Sequence, residues 1–115
     1  MNQKSHQPVR LDLNNPVFQR QLFKLSKSEQ PLGPEQLEAE GRNILNTLRK
    51  LVNMTWQQVY IEHGLKWEAI LSKKGPGDKK LYSFRIGSRF RGVAYRDGVW
   101  LRILSLHPDH DSAYR

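Results

Sequence analysis

Polar and apolar positions divide this chain into segments with different periods. Val9, Leu11 and Leu13 alternate with Arg10 and Asp12, and a period of two predicts a short half-buried strand. Asn15 and Pro16 then make a helix start, because Asn caps free N–H groups and Pro already has the φ of a first helical residue. Phe18, Leu22 and Leu25 recur at helical spacing, which predicts a first helix to about Lys27. Residues 30–33 read as a break. Pro34 opens a second helix, whose Leu37, Gly41, Ile44, Leu48 and Leu51 fall on one stripe. Thr55 and Gln58 have capping-box spacing and predict a short third helix towards Gly64. Residues 65–72 fit a strand and a helix equally.

The period changes after a basic loop, residues 73–80, that contains Gly75, Pro76 and Gly77. Residues 81–86, 90–96 and 99–106 read as strands. Asp97-Gly98 between the last two is a hairpin signal, since such turns favour positive φ. Residues 107–115 form a polar tail. The expected fold is therefore α+β, with an N-terminal strand and two to three helices packed on one face of a C-terminal antiparallel sheet. The other face is expected to be free for a ligand. Residues 1–8 are read as a polar tail and 9–115 as one domain, a length that can bury its own core.

Charge narrows the partner. Nineteen Lys and Arg against eleven Asp and Glu give a formal net charge of +8, and such an excess attracts phosphate polyanions. It is also lopsided: residues 64–115 hold eleven basic and five acidic residues, net +6, whereas residues 1–63 hold eight and six, net +2. The binding surface is expected in the second half, with RNA as the first partner to consider. No cysteine is present, which removes disulfides and thiolate metal sites. Residues 1–8 lack the apolar stretch of a secretory signal, so the cytoplasm is the expected location and no membrane role is expected.

Two groups of residues could carry chemistry. Period two puts Arg85 opposite in facing to Tyr82, Phe84 and Ile86, and places Arg89, Arg91, Val93 and Tyr95 on one face of the next strand. Arg85, Arg91 and, one strand on, Arg102 can then share a surface, where guanidinium forks suit phosphate. Lys73, Lys74, Lys79 and Lys80 are expected to add to the same region. Any one such arginine can equally serve to keep an exposed strand soluble. The second group is the tail, with His107, Asp109, His110, Asp111 and Tyr114. Imidazoles exchange protons near neutral pH and a carboxylate can fix their tautomer, so His107 and His110 are candidate acids or bases. A solvated polar tail is the plain alternative, and a metal held by His107, His110 and Asp111 a weaker one. His6 and His63 read as structural or surface residues. Trp56, Trp67 and Trp100 are assigned to the core rather than to base stacking.

The run from Leu81 to Gly98, with Phe90-Arg91-Gly92-Val93-Ala94-Tyr95 at its centre and the apolar strand after it, resembles the C-terminal sheet of the RelE/ParE toxin superfamily. The likeness spans about Val9 to Tyr114. It implies a bacterial toxin with a cognate antitoxin, or a solitary relative. Members of the RelE type cleave mRNA, usually on the ribosome and without a metal or other cofactor; those of the ParE type inhibit DNA gyrase without catalysis. Some ribonuclease members end in a His-Tyr pair, and His107, His110 and Tyr114 favour that type here. The implied reaction is transesterification to a 2′,3′-cyclic phosphate, with Arg85 and Arg91 stabilising the phosphorane, a tail histidine or Tyr114 moving protons, and Lys79, Lys80, Arg89 and Arg102 binding RNA. A gyrase inhibitor and a plain nucleic-acid-binding module remain the alternatives. The segment between the helices and the sheet, residues 55–74, is longer than in compact members, and Pro108 interrupts the tail.

Overall fold

A computed structural model describes residues 6–26, 34–87, 90–108 and 110–114. The elements run β1 (Arg10–Asp12), α1 (Pro16–Ser26), α2 (Pro34–Val52), α3 (Trp56–Ile61), β2 (Glu68–Lys74), β3 (Lys80–Ile86), β4 (Phe90–Asp97), β5 (Trp100–His107) and α4 (His110–Ala113). The five strands form one mixed sheet in the order β1-β5-β4-β3-β2. β1 lies parallel to β5, and every other pairing is antiparallel. The fold is α+β.

Local chemistry accounts for the helix starts. Asn15 Oδ1 accepts the N–H groups of Val17 at 2.9 Å and Phe18 at 3.4 Å, so α1 begins where the Asn-Pro pair predicts. Gln58 N donates to Thr55 Oγ1 at 3.3 Å and Thr55 N to Gln58 Oε1 at 2.8 Å, which closes the capping box. Its helix stops at Ile61, short of Gly64. In α2, Ile44 and Leu51 are buried and Leu48 packs beside them; the predicted contact of Leu37 lies outside the described side chains.

Helices α1, α2 and α3 supply Phe18, Ile44, Leu51, Trp56 and Val59 to the main core, against Phe84, Ile86, Ala94, Leu101, Ile103 and Leu106 of the sheet. Trp56 is fully buried and donates Nε1–H to Val99 O at 3.0 Å. Trp100 is not a core residue: it opens β5 at the turn and is 37% exposed. The turn itself is displaced by one position from the predicted one. Asp97 pairs with Trp100, so the two loop residues are Gly98 and Val99, and only Gly98 has positive φ, at 62°.

Residues 65–72 resolve into the edge strand β2, and the second face of the sheet is not free. The tail residues that read as a polar extension form α4, which packs on β4 and β5. Ala113 is buried there in a small second core with Ile70, Leu81 and Val93, and Tyr95, Leu104 and Tyr114 pack around it. A polar segment forms a helix here because one small apolar residue and one tyrosine find a complementary hollow, which local pattern does not display.

Gly92 marks a close approach in the main core. A Cβ built there would lie 2.5 Å from Phe84 Cζ and 2.6 Å from Cε1. Phe84 is fully buried and has no open space to swing into. Gly92→Ala is therefore expected to destabilise by ~1–3 kcal/mol, the usual cost of overpacking. Urea unfolding would measure it, and Phe84→Leu in the same chain should recover part of the loss. An unaffected Gly92→Ala would show that the ring moves freely.

Candidate functional site

Strand register builds a row of cationic and proton-transfer groups across the sheet. Arg85 on β3 is directly opposite Arg91 on β4, and Arg91 is directly opposite His107 on β5. All three stand on the face that carries α4. Directly opposed residues have Cβ atoms ~5 Å apart, and two like charges at that separation destabilise a sheet unless an anion lies between them. Arg85 is exposed. Arg91 is only 9% exposed, and its Nη1 is buried with no hydrogen-bond partner among the described residues. A buried guanidinium nitrogen left without an acceptor costs stability, so its retention points to an anion supplied from outside.

The position of His107 depends on a bulge. Leu101 and Ile103 point into the main core while Leu104 points to the α4 side. Strict alternation would send His107 into the main core with Leu101 and Ile103. The register instead shifts between Val93, opposite Ser105, and Ala94, opposite Ile103, which leaves Leu104 as the extra residue. Beyond it Leu106 enters the core, and Ser105 and His107 join the face of Arg91. Bulges re-aim side chains in this way. Ser105 Oγ and His107 Nε2 are 2.8 Å apart, which fixes the orientation of the imidazole.

A second row, two residues along the strands, holds Tyr114. The fully buried Ser83 donates to Tyr114 OH at 2.9 Å, and Tyr114 OH donates to Glu68 Oε2 at 3.0 Å. Ser72 Oγ also donates to the carbonyl of Tyr114 at 3.2 Å. The phenol thus fastens α4 to β2 and β3, with its own proton directed at Glu68. Ser83, Glu68 and Ser105 went unnoticed in the sequence because their relevance is a matter of register. Only the undecided segment 65–72 hinted that Glu68 lies on a strand.

Three expected members of the RNA surface are not in this row. Arg102 shares the face but sits opposite Tyr95, at the far end of β4. Its guanidinium is taken up by Asp12 at 2.6 Å and Asp97 at 3.1 Å and lies 5.3 Å from the centre of the Trp100 ring. Lys80 shares its facing with Phe84 and Ile86, the opposite face to Arg85, and its Nζ is 5.8 Å from the Tyr82 ring. Lys79, at the end of the 76–78 turn, is exposed at the same remote end of β3. Five residues of strand separate Lys80 from Arg85, ~17 Å at ~3.3 Å per residue. The loop lysines therefore do not extend the arginine row. Arg89 lies outside the described residues. His110 opens α4, but its side chain and that of Asp111 lie outside them too, and the metal alternative lies there with them.

The Asp12–Arg102 pair gives a pH test. The Asn14 backbone N–H and then the Arg102 guanidinium hold the Asp12 carboxyl below its ordinary pKa. With the folded-state pKa below the unfolded one, the stabilisation is complete above ~3.9, the unfolded value, and is lost as pH falls through the lowered folded value. Wild type should exceed Asp12→Asn in unfolding free energy by a constant margin from pH 5 to 8, and the margin should close in acid. A margin that persists at pH 2 would show that the contribution is not ionic.

No protein-family model matches the chain, and no curated protein or solved structure matches it either. The geometry of the site therefore stands alone. Among the described residues no helix is long and apolar enough to cross a membrane.

Proposed function

We propose that this chain is a RelE/ParE-like toxin that cleaves RNA without a metal ion, acts in the cytoplasm on messages carried by ribosomes, and is held in check by a cognate antitoxin. One observation carries the reading: the buried, unpartnered Nη1 of Arg91 stands between Arg85 and His107 on adjacent strands. Two guanidinium groups and one imidazole are what a phosphodiester in transesterification needs. The bridging phosphate takes the acceptor role that Arg91 lacks, and both arginines stabilise the charge that builds on phosphorus. A base removes the 2′-OH proton, the 2′-oxygen attacks phosphorus in line, and an acid protonates the departing 5′-oxygen. The products are a 2′,3′-cyclic phosphate and a 5′-hydroxyl end.

His107 is assigned one of the two proton transfers, and His110, three residues on, is the candidate for the other. Tyr114, with its proton directed at Glu68, is better suited to positioning α4 beside the row. The net charge of +8 assists capture of the polyanion. Incubation with ribosome-bound message, followed by end mapping, is the test. Cleavage leaving 2′,3′-cyclic phosphate ends in the presence of EDTA, with the ribosome's magnesium restored, is expected. Salt-sensitive RNA binding without cleavage would leave the binding-module reading, and gyrase inhibition without either would leave the ParE type.

A further inference from the structure

We propose that the cavity between α3 and the start of β2 is a subsite for one unpaired nucleobase, next to the nucleotide whose phosphate lies on Arg85 and Arg91; this rests on the nucleic-acid reading above. The cavity is open, measures about 660 Å³ and is lined by Tyr60, Ile61, His63, Lys66, Trp67 and Glu68. It adjoins the arginine row through the backbone. Arg85 N donates to Leu65 O at 2.7 Å, so Lys66 lies one strand spacing, ~4.8 Å, beyond Arg85. The row Arg85, Arg91, His107 therefore continues into the cavity at Lys66.

The lining fits a flat ring with a phosphate attached. Tyr60 is 47% exposed and Ile61 67% exposed, leaving large apolar surfaces uncovered at the cavity wall. Aromatic surfaces of this kind hold bases by stacking whatever their sequence. Two carboxylates line the cavity as well, but both are engaged: Glu62 accepts from Gly64 N at 3.0 Å and pairs with Lys50 at 3.5 Å, and Glu68 accepts from Tyr114. Lys66 remains as the charge that faces a ligand. It also has φ of 51°, the left-handed region, which costs a lysine about 1 kcal/mol or more. A residue chosen for the backbone alone would be glycine.

Lys66→Gly and Ile61→Asp test the subsite, because the first relieves backbone strain while removing the charge and the second spoils the apolar wall at an exposed position. The probes are oligoribonucleotides of two and five units made uncleavable by 2′-deoxy substitution, with affinity measured at fixed salt. Wild type is expected to bind the longer probe at least about tenfold more tightly than the shorter, at the lower end of what one stacked base contributes. Each variant should keep its affinity for the two-unit probe and lose most of that gain, and Lys66→Gly should unfold no more readily than wild type. A gain that survives in the double variant, or an equal loss for both probes, would overturn the subsite while leaving the arginine row in place. Failure of wild type to bind either probe would instead overturn the nucleic-acid reading, and the subsite with it.

Discussion

Arg91→Met is expected to unfold at the same temperature as wild type or higher, and to cleave RNA at least ~100-fold more slowly, the usual cost of losing one preorganised donor to developing charge. The two effects share one origin. In the absence of RNA, Arg91 is a nine-tenths buried cation with one terminal nitrogen unpaired among the described residues, and it faces a second guanidinium across the strand. Methionine fills a similar volume, needs no hydrogen bond and removes the like-charge pair, so the fold loses a penalty when the cation goes. Ordinary core substitutions behave in the opposite way, lowering stability and activity together.

That opposition makes the experiment informative. Thermal unfolding and single-turnover cleavage are measured on the same protein, with Arg85→Met as a partner. Arg85 is exposed, so its replacement should leave the melting temperature nearly unchanged and lower cleavage by less. A drop of more than about 5 °C in Arg91→Met, roughly 1 kcal/mol for a domain of this size, would mean that Arg91 is held by the fold for the fold's own sake. The anion argument would then fail. Arg102→Ala is the control on the same face: its guanidinium is already neutralised by Asp12 and Asp97, and its loss should leave cleavage unaltered.

How much of this could be read beforehand varied with the range of the interactions involved. Helix starts at Asn15-Pro16 and Thr55 depend on hydrogen bonds within three residues, and both lie where the residue types put them. The pairing of Arg85 with Arg91 also follows from strict alternation on either side of one tight turn. Alternation then misleads for β5, because the extra residue at Leu104 reverses the facing of everything after it, and nothing in the local composition announces a bulge. Arg102 reads as a phosphate ligand until Asp12, ninety residues earlier, arrives beside it on a parallel strand. Lys80 was misplaced for a simpler reason: its parity groups it with Phe84 and Ile86, so sharing a basic stretch with the arginines said nothing about sharing their face. The tail helix α4 is the extreme case, since the hollow that receives Ala113 is assembled from three different strands.

His107→Ala is expected to lower single-turnover cleavage by about a hundredfold to ten-thousandfold, the range for loss of a general acid or base, while RNA affinity changes little. The bulge at Leu104 sets His107 opposite Arg91, and Ser105 Oγ at 2.8 Å from its Nε2 orients the ring. Ser105→Ala should therefore weaken cleavage too, by a smaller factor, through a loosened imidazole rather than a lost one. Tyr114→Phe removes the bonds to Ser83 and Glu68 and leaves a buried serine without its acceptor, so its main expected effect is on stability, about 1–2 kcal/mol, with a rate loss well below that of His107→Ala. The pH profile separates a chemical from a structural role: wild-type cleavage should follow a limb set by an imidazole, and His107→Ala should lose that limb instead of shifting the whole curve down. If His107→Ala and wild type cleave at equal rates with the same pH dependence, His107 transfers no proton. The arginine row would then be a binding surface whose catalytic group, if it has one, is His110.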